Sequence, residues 1–120
     1  MQLPYLIVKM KTIKIDVGDH HFRKMFADAV PVQVEDDATL LHVIAALDEK
    51  IIDHPNKPPE LMFGAKCVLQ LVWDPVSGQV YEDVAVEART KDNAWIPLLD
   101  NPTMVLPDEA SVFLWPDAGC

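Results

Sequence analysis

"VPVQVEDDATLLHVIAALDEKII", residues 30–52, contains two apolar patterns of different period that meet at an acidic turn. Val30, Val32 and Val34 alternate with other side chains, which predicts a short strand with one buried face. Beyond the turn, apolar residues recur at steps of three and four, which predicts a helix that lies on a core. The residues of this stripe are Leu40, Val43, Ile44, Leu47 and Ile51.

Both ends of this helix carry sequence signals. Thr39 or Asp37 can accept the first free backbone N–H groups as the N-cap, and Asp36 and Asp37 complement the positive end of the helix dipole. The following stretch "DHPNKPPEL", residues 53–61, contains three prolines, which remove backbone donors and fix φ. We therefore predict that the helix ends there in a loop.

The chain on the N-terminal side of this unit predicts a second strand. "YLIVKMKTIKI", residues 5–15, begins as an apolar block and then alternates, and its β-branched content favours a strand. The alternating residues are Met10, Ile13 and Ile15, interleaved with Lys11, Lys14 and Asp16. The connection, residues 16–30 with Gly18 as a turn signal, is either a loose hairpin loop or a loop that holds one helical turn.

The chain on the C-terminal side predicts further strands. Residues 66–88 are interpreted as two strands joined at "DPVSGQ", where Pro75 and Gly78 favour a turn. Residues 103–116, "TMVLPDEASVFLWP", predict a turn and a last strand. The whole chain, 1–120, is then a single α+β domain in which a sheet of four to five strands packs on one main helix. Residues 116–120 are predicted to form a flexible tail.

Composition and charge narrow the function classes. The 120 residues carry a formal charge of −9, which argues against nucleic-acid binding because such proteins cluster Lys and Arg on their surface. The local group Lys9, Lys11 and Lys14 is interpreted as a solvated strand face. No apolar run approaches the roughly 20 residues that a membrane span needs, and the N-terminus resembles a strand more than a signal peptide.

The two cysteines favour a reduced, cytoplasmic protein. Cys67 lies in the apolar run "CVLQLVW", where a buried inert thiol is expected, although it could in principle pair with Cys120. The adjacent His20 and His21 have no HExxH or CxxC context, so we predict no metal site. No nucleophile–base pattern surrounds Ser77 or Ser111. The three tryptophans, Trp73, Trp95 and Trp115, are expected to pack in the core and on sheet faces.

Three motifs in this order resemble the β-grasp superfamily of ubiquitin and the small sulfur-carrier proteins. "VPVQVEDDATLLHVIAAL" is similar to that family's second strand, acidic turn and Thr-capped helix, and "LPDEASVFLWP" resembles its acidic turn and final strand. "DAGC" falls where the carriers have a small-residue tail that ends in Gly-Gly. The resemblance covers residues 30–52 and 104–120, extends loosely to 5–16, and matches 53–95 only as generic strands.

The resemblance implies a sulfur carrier of the molybdopterin-synthase small-subunit type or a ubiquitin-like modifier, which is not itself an enzyme and needs no cofactor. Gly119 would be the acyl donor after adenylation, Ala118 a narrow neighbour, and Cys120 either a cap that a JAB-type peptidase trims or a second reactive group. The implied partners are an ATP-dependent adenylating enzyme and a transfer enzyme or sulfur-accepting synthase. Phe113 and Trp115 are predicted docking residues.

A second interpretation stays open. The same fold could serve a non-conjugating adaptor, or a subunit of a larger assembly, with an inert tail. The proline loop and the extended middle segment, 53–95, favour this alternative because insertions on a scaffold often carry contacts.

Overall fold

A mixed four-stranded sheet forms the framework of the domain. The computed structural model describes residues 9–116. Its strands are β1 (Met10–Val17), β2 (Val30–Glu35), β3 (Trp73–Asp74), β4 (Gln79–Val80), β5 (Ala85–Arg89) and β6 (Ser111–Trp115). Its helices are α1 (His20–Met25), α2 (Leu40–Ile52), a 3-10 turn (Met62–Gly64) and α3 (Val68–Val72). Strands β3 and β4 form a separate small hairpin.

The strand order in the main sheet is β2-β1-β6-β5. Strands β1 and β6 are parallel and central, whereas β2 and β5 pair with them antiparallel at the two edges. One row of partners across the sheet is Val30, Ile15, Val112 and Ala88, and all four are buried. The predicted α+β class and a sheet of four to five strands are thus confirmed.

Helix α2 covers one face of this sheet, which we call the inner face. All five predicted stripe residues are at most 2% exposed. The N-cap is Thr39 rather than Asp37, and the Thr39 N–H donates to Nδ1 of His42 at 3.0 Å. The proline-rich segment that follows contains no regular element, as predicted. None of the helices within residues 9–116 is long and apolar enough to cross a membrane.

The predicted strand over residues 66–72 is wrong, because most of this run forms α3. Val68, Leu71 and Val72 are buried at helical spacing, and a solid apolar run does not distinguish helix from strand. Asp48 of α2 fixes the start of α3, since its Oδ1 accepts from the Val68 N–H at 2.7 Å and its Oδ2 from the Leu69 N–H at 3.1 Å. Burial raises the pKa of the Asp48 carboxyl, although these bonds oppose the shift.

The predicted turn that follows α3 is confirmed. It connects β3 to β4, and Gly78 has φ of 71°, a conformation that favours glycine. The extended middle hairpin is therefore reduced to two very short strands. Residues 61–84 instead form a layer of short elements beside α2.

The connection between β1 and β2 holds one short helix, the second of the two alternatives. Asp19 caps it, with Oδ1 accepting from the N–H groups of His21 and Phe22 at 2.7 and 2.9 Å. Phe22 and Met25 turn into the core, and Arg23 and Lys24 stay exposed.

Lys11 overturns the interpretation of a uniformly solvated lysine face. Its side chain is 3% exposed and lies on the inner side of β1, whereas Met10 is 52% exposed. The Nζ donates to the carbonyl oxygens of Asp36 at 2.6 Å, of Ala38 at 3.3 Å and of Leu106. The ammonium thus links β1 to the β2–α2 turn and to the loop before β6.

Candidate functional site

The outer face of the sheet, opposite α2, exposes aromatic side chains at the end of β6. Val112 and Leu114 point into the core, so Phe113 and Trp115 lie on the outer face. Phe113 is half-buried and Trp115 is 53% exposed. Their rings meet edge to face, with centroids 5.9 Å apart and an interplanar angle of 78°. The two predicted docking residues are therefore brought together at one accessible place, and their role stays a prediction.

Both rings lie against the backbone at Gly18. A Cβ atom at this position would be 3.4 Å from Cδ1 of Trp115 and 3.5 Å from Cζ of Phe113. The Gly18 N–H donates to the Leu114 carbonyl at 2.8 Å, which continues the pairing of the central strands. Both distances are ordinary van der Waals contact, so the Cβ of an alanine would pack against the rings.

Arg23 of α1 adds a charge to the aromatic pair. Its guanidinium lies 5.9 Å from the centroid of Phe113 and makes a 3.2 Å ion pair with Asp16 of β1. The Asp16 side chain is 17% exposed, and its Oδ1 has no hydrogen-bond partner within the described residues. We call Asp16, Arg23, Phe113 and Trp115 the outer patch.

Hydrogen bonds of the Asp19 carboxylate hold α1 against the segment 61–65. They therefore also help to position Arg23 in the outer patch. Asp19 is 1% exposed, and its Oδ2 accepts from the Met62 N–H at 2.9 Å. The Leu61 N–H in turn donates to the Ala65 carbonyl at 2.7 Å. Because one buried carboxylate caps α1 and anchors this turn, the position of Arg23 depends on both.

A hollow of about 440 Å³ lies where the described chain ends. Pro116 forms part of its wall and is itself buried. The other side is lined by Phe63, Gly64, Leu71 and Tyr81 among others. Phe63 has φ of 58° and is 70% exposed, so a strained backbone presents an aromatic ring at the rim.

The predicted activation residues Ala118, Gly119 and Cys120 lie outside the described residues. The predicted tail, 116–120, is therefore represented by Pro116 alone. Pro116 follows directly on the outer patch, so chemistry at Gly119 would take place close to Trp115 in sequence.

The remaining predicted residues are not brought into one site. His20 and His21 are in α1. Within residues 9–116, no group of three His, Cys, Asp or Glu side chains could hold a metal ion. Ser77 lies in the β3–β4 turn, and Ser111 is exposed on β6. Cys67 is half-buried at the N-cap of α3, which corrects the expectation of a fully buried thiol.

The three tryptophans differ in their burial. Trp73 packs against the core as predicted, but Trp95 is 59% exposed and pairs with the edge of β5 at Arg89. Trp115 lies on a sheet face, as predicted, but is largely uncovered. Core packing is therefore the wrong interpretation for Trp95.

Sequence reasoning missed Arg23 and the rim residue Phe63, and it identified Gly18 only as a turn residue. The strand alternation in 111–115 places Phe113 and Trp115 on one face, but nothing local indicates that α1 brings a cation above them. The sequence offered one signal near this place, Gly18, which marks the turn after β1 against which the rings lie.

Comparison with known proteins finds no protein-family model and no curated protein sequence that matches this chain.

Proposed function

We propose that this chain is a β-grasp carrier or modifier whose C-terminal segment is activated by adenylation, with the outer patch as its docking surface. The observation that carries the proposal is the position of β6. This strand is central, parallel to β1, and ends at an exposed aromatic pair. A mixed sheet in the order β2-β1-β6-β5, with α2 across its inner face, supports the proposal, because the resemblance implies a mixed sheet packed on one main helix.

The chemistry requires Gly119 to become a C-terminal residue. A peptidase would remove Cys120 and whatever follows it. The Gly119 carboxylate then attacks the α-phosphorus of ATP in the activating enzyme, and pyrophosphate leaves. A thiolate or sulfide next attacks the acyl carbonyl carbon, and AMP leaves. This chain supplies only the carboxylate and a narrow Ala118–Gly119 backbone, so it is a substrate and not an enzyme.

The outer patch suits the docking step. Trp115 offers a large apolar area at low entropic cost and lies next to the segment that must be delivered. The formal charge of −9 favours an activating enzyme with a basic face, because complementary charge steers encounter. A cytoplasmic location is part of the proposal, since the activation consumes ATP.

The test is the intact mass of the protein isolated from its native cell. We expect species that end at Gly119 and carry a thiocarboxylate, an AMP adduct or an isopeptide link to another polypeptide. Gly119→Pro should abolish these species, whereas the matched variant Ala118→Gly should retain them. A wild-type chain that remains unmodified, with Cys120 present, would contradict the carrier function.

That negative result would favour the second candidate, a non-conjugating adaptor. A specific observation supports it: the segment 61–84 builds a hollow around buried Pro116, a feature that delivery of the following residues does not require. In an adaptor this hollow and the outer patch would together contact a partner. Substitutions at Phe63 and Trp115 would then both weaken the same complex.

A further inference from the structure

The two edges of the main sheet differ in how their backbone groups are satisfied. At the β5 edge, the Ile96 N–H donates to the Ala88 carbonyl at 2.8 Å, and the Thr90 N–H donates to the Ala94 carbonyl at 2.8 Å. The segment around Trp95 therefore covers the end of β5. No comparable segment pairs with β2 within the described residues.

The backbone pairing shows which groups of β2 point outward. The Asp36 N–H donates to the Lys9 carbonyl at 2.9 Å, and the register continues with Glu35 opposite Met10. Because antiparallel pairs alternate between bonded and non-bonded, the even-numbered residues of β2 bond to β1 and the odd-numbered residues face away. Pro31 occupies an outward position, where its missing N–H leaves the pairing with β1 intact.

The unpaired backbone groups at the β2 edge can therefore be identified residue by residue. Gln33 presents an N–H and a carbonyl, Pro31 presents only a carbonyl, and Glu35 presents an N–H because its carbonyl accepts from Ala38 at 3.0 Å. No hydrogen bond to the N–H of Gln33 or Glu35 exists within the described part of the chain outside the β1–β2 pairing. An added strand could exchange two bonds with Gln33 and gain one bond at each side of it.

A groove follows this edge between β2 and α2. It has a volume of about 620 Å³. Its lining includes the apolar groups of Phe26, Pro31 and Ala46, with Glu49, Lys50 and Asp53 of the α2 end opposite. Phe26 stacks edge to face on His54, with centroids 4.8 Å apart, which closes one end. Side chains on one face of an added strand would enter this groove.

We propose that the β2 edge binds an extended peptide segment of a partner protein, with lysine or arginine at the alternate positions that enter the groove and apolar side chains between them. The segment adds to the sheet as a strand next to β2. This site lies at the opposite edge from the covered strand β5, and it does not depend on the proposed carrier function.

The charges select a basic partner over a second copy of this chain. Glu35, Asp36 and Asp37 lie at one end of β2, and Glu49 and Asp53 flank the groove against the single Lys50. Two copies joined through β2 would bring these carboxylates together, at a formal charge of −9 each. A segment with basic side chains is instead attracted by the negative charge of these carboxylates.

The experiment uses the full chain and a short capped peptide of alternating lysine and valine, with a glutamate–valine peptide of the same length as control. Two-dimensional N–H NMR reports binding, and amide exchange reports strand addition. We expect the Gln33 and Glu35 amides to exchange freely in the unbound protein and to become protected by the lysine–valine peptide only.

Variants separate the backbone bond from the side chain. Gln33→Pro removes the outward N–H and should weaken binding at least about tenfold, since it deletes a bond and adds a ring. Gln33→Ala loses the same 2.7 Å side-chain bond to Thr12 but keeps the N–H, and should weaken binding less than about threefold. Glu49→Lys, at an exposed position, should also weaken binding, and it keeps the test valid if Gln33→Pro does not fold.

Four results would overturn the proposal. These are protection of the Gln33 and Glu35 amides in the unbound protein, equal binding of the glutamate–valine peptide, peptide-induced changes confined to the outer patch, and no binding at millimolar peptide. Protected amides in the unbound protein would show that the β2 edge is already paired. Equal binding of the glutamate–valine peptide would show that charge does not select the partner. Changes confined to the outer patch would place the binding site there, and an absence of binding would show that the β2 edge does not bind such peptides.

Discussion

The two faces of the central strands carry the same alternation but have different environments. On the inner face, Ile13, Ile15, Val17 and Leu114 are all 0% exposed beneath α2 and its neighbours. On the outer face, the alternate positions hold Asp16, half-buried Phe113 and Trp115, which is 53% exposed. Both faces have exceptions to the simple rule: Lys11 is buried on the inner face, and the apolar side chains of Met10 and Trp115 are exposed on the outer face.

This difference indicates that the two faces contribute differently to the stability of the fold. The inner face supplies the stability of the fold, because apolar area removed from water is its main source of free energy. The outer face leaves a large aromatic area in water next to a cation, and such an area contributes little to folding. The following substitutions test this difference between the two faces.

Leu114→Ala should have the largest effect on stability. Leu114 is fully buried in the centre of the sheet, so the truncation leaves a cavity and should lower the free energy of unfolding by about 2–5 kcal/mol. Urea denaturation measures this value. Trp115→Ala, one residue along the same strand, is the matched control and should lower stability by only about 1 kcal/mol, because it loses mainly the edge contact with Phe113. Equal losses for both variants would contradict the division between the faces.

Lys11→Met sharpens the inner-face comparison. It removes the donor for the Asp36 and Leu106 carbonyls and leaves buried acceptors without it, which should lower the free energy of unfolding by about 1–3 kcal/mol. Lys14→Met, on the exposed side of the same strand, should change it by less than about 0.5 kcal/mol. Acetylation followed by mass spectrometry should also find Lys11 slower to react than Lys14. Comparable acetylation rates would show that Lys11 is accessible.

Asp48 gives the layer beside α2 a defined pH dependence. The pKa of Asp48 is raised above its ordinary value of 3.8 in the folded protein. At a pH between these two pKa values, the folded protein therefore binds more protons than the unfolded protein. The contribution of Asp48 to stability is therefore fully present below 3.8 and is lost as the pH rises through the folded pKa. Asp48→Asn should reduce this loss in urea denaturation at a series of pH values, whereas Glu49→Gln, at an exposed position, should not. An unchanged pH profile for Asp48→Asn would contradict the assignment.

Arg23→Gln should have the smallest effect on stability. The Arg23–Asp16 pair is partly exposed, so its loss should cost less than about 1 kcal/mol, and the difference from wild type should shrink in high salt. The side-chain NMR signals of Phe113 should nevertheless move, because the guanidinium lies over its ring, 5.9 Å from the centroid. Those of Trp115 should follow, because the two rings are in contact. Lys24→Gln is the control, and it should leave these signals unchanged. Ring signals that stay unchanged in Arg23→Gln would show that Arg23 does not contact the aromatic pair.

The sequence predicted those elements whose side chains keep one period throughout. The valines of β2, the stripe of α2 and the apolar run of β6 predicted the sheet and its main helix, whereas the alternation that turns Phe113 and Trp115 outward is a finding of the structure. The run 68–72 is apolar at nearly every position, so its period was hidden, and the capping carboxylate of Asp48 is distant in sequence. Lys11 was misjudged because its partners are carbonyls from two loops that only the folded chain brings together.

Processing of Trp115→Ala in the native cell is the most direct test of the central claim, that the outer patch docks the enzymes that act on the C-terminal segment. Intact mass spectrometry would compare the fraction of chain that ends at Gly119 or is conjugated through it. Val76→Ala is the control, since Val76 is 95% exposed in the β3–β4 turn. The account predicts a processed wild type, a processed Val76→Ala and an unprocessed but folded Trp115→Ala. Equal processing of Trp115→Ala and wild type would contradict it.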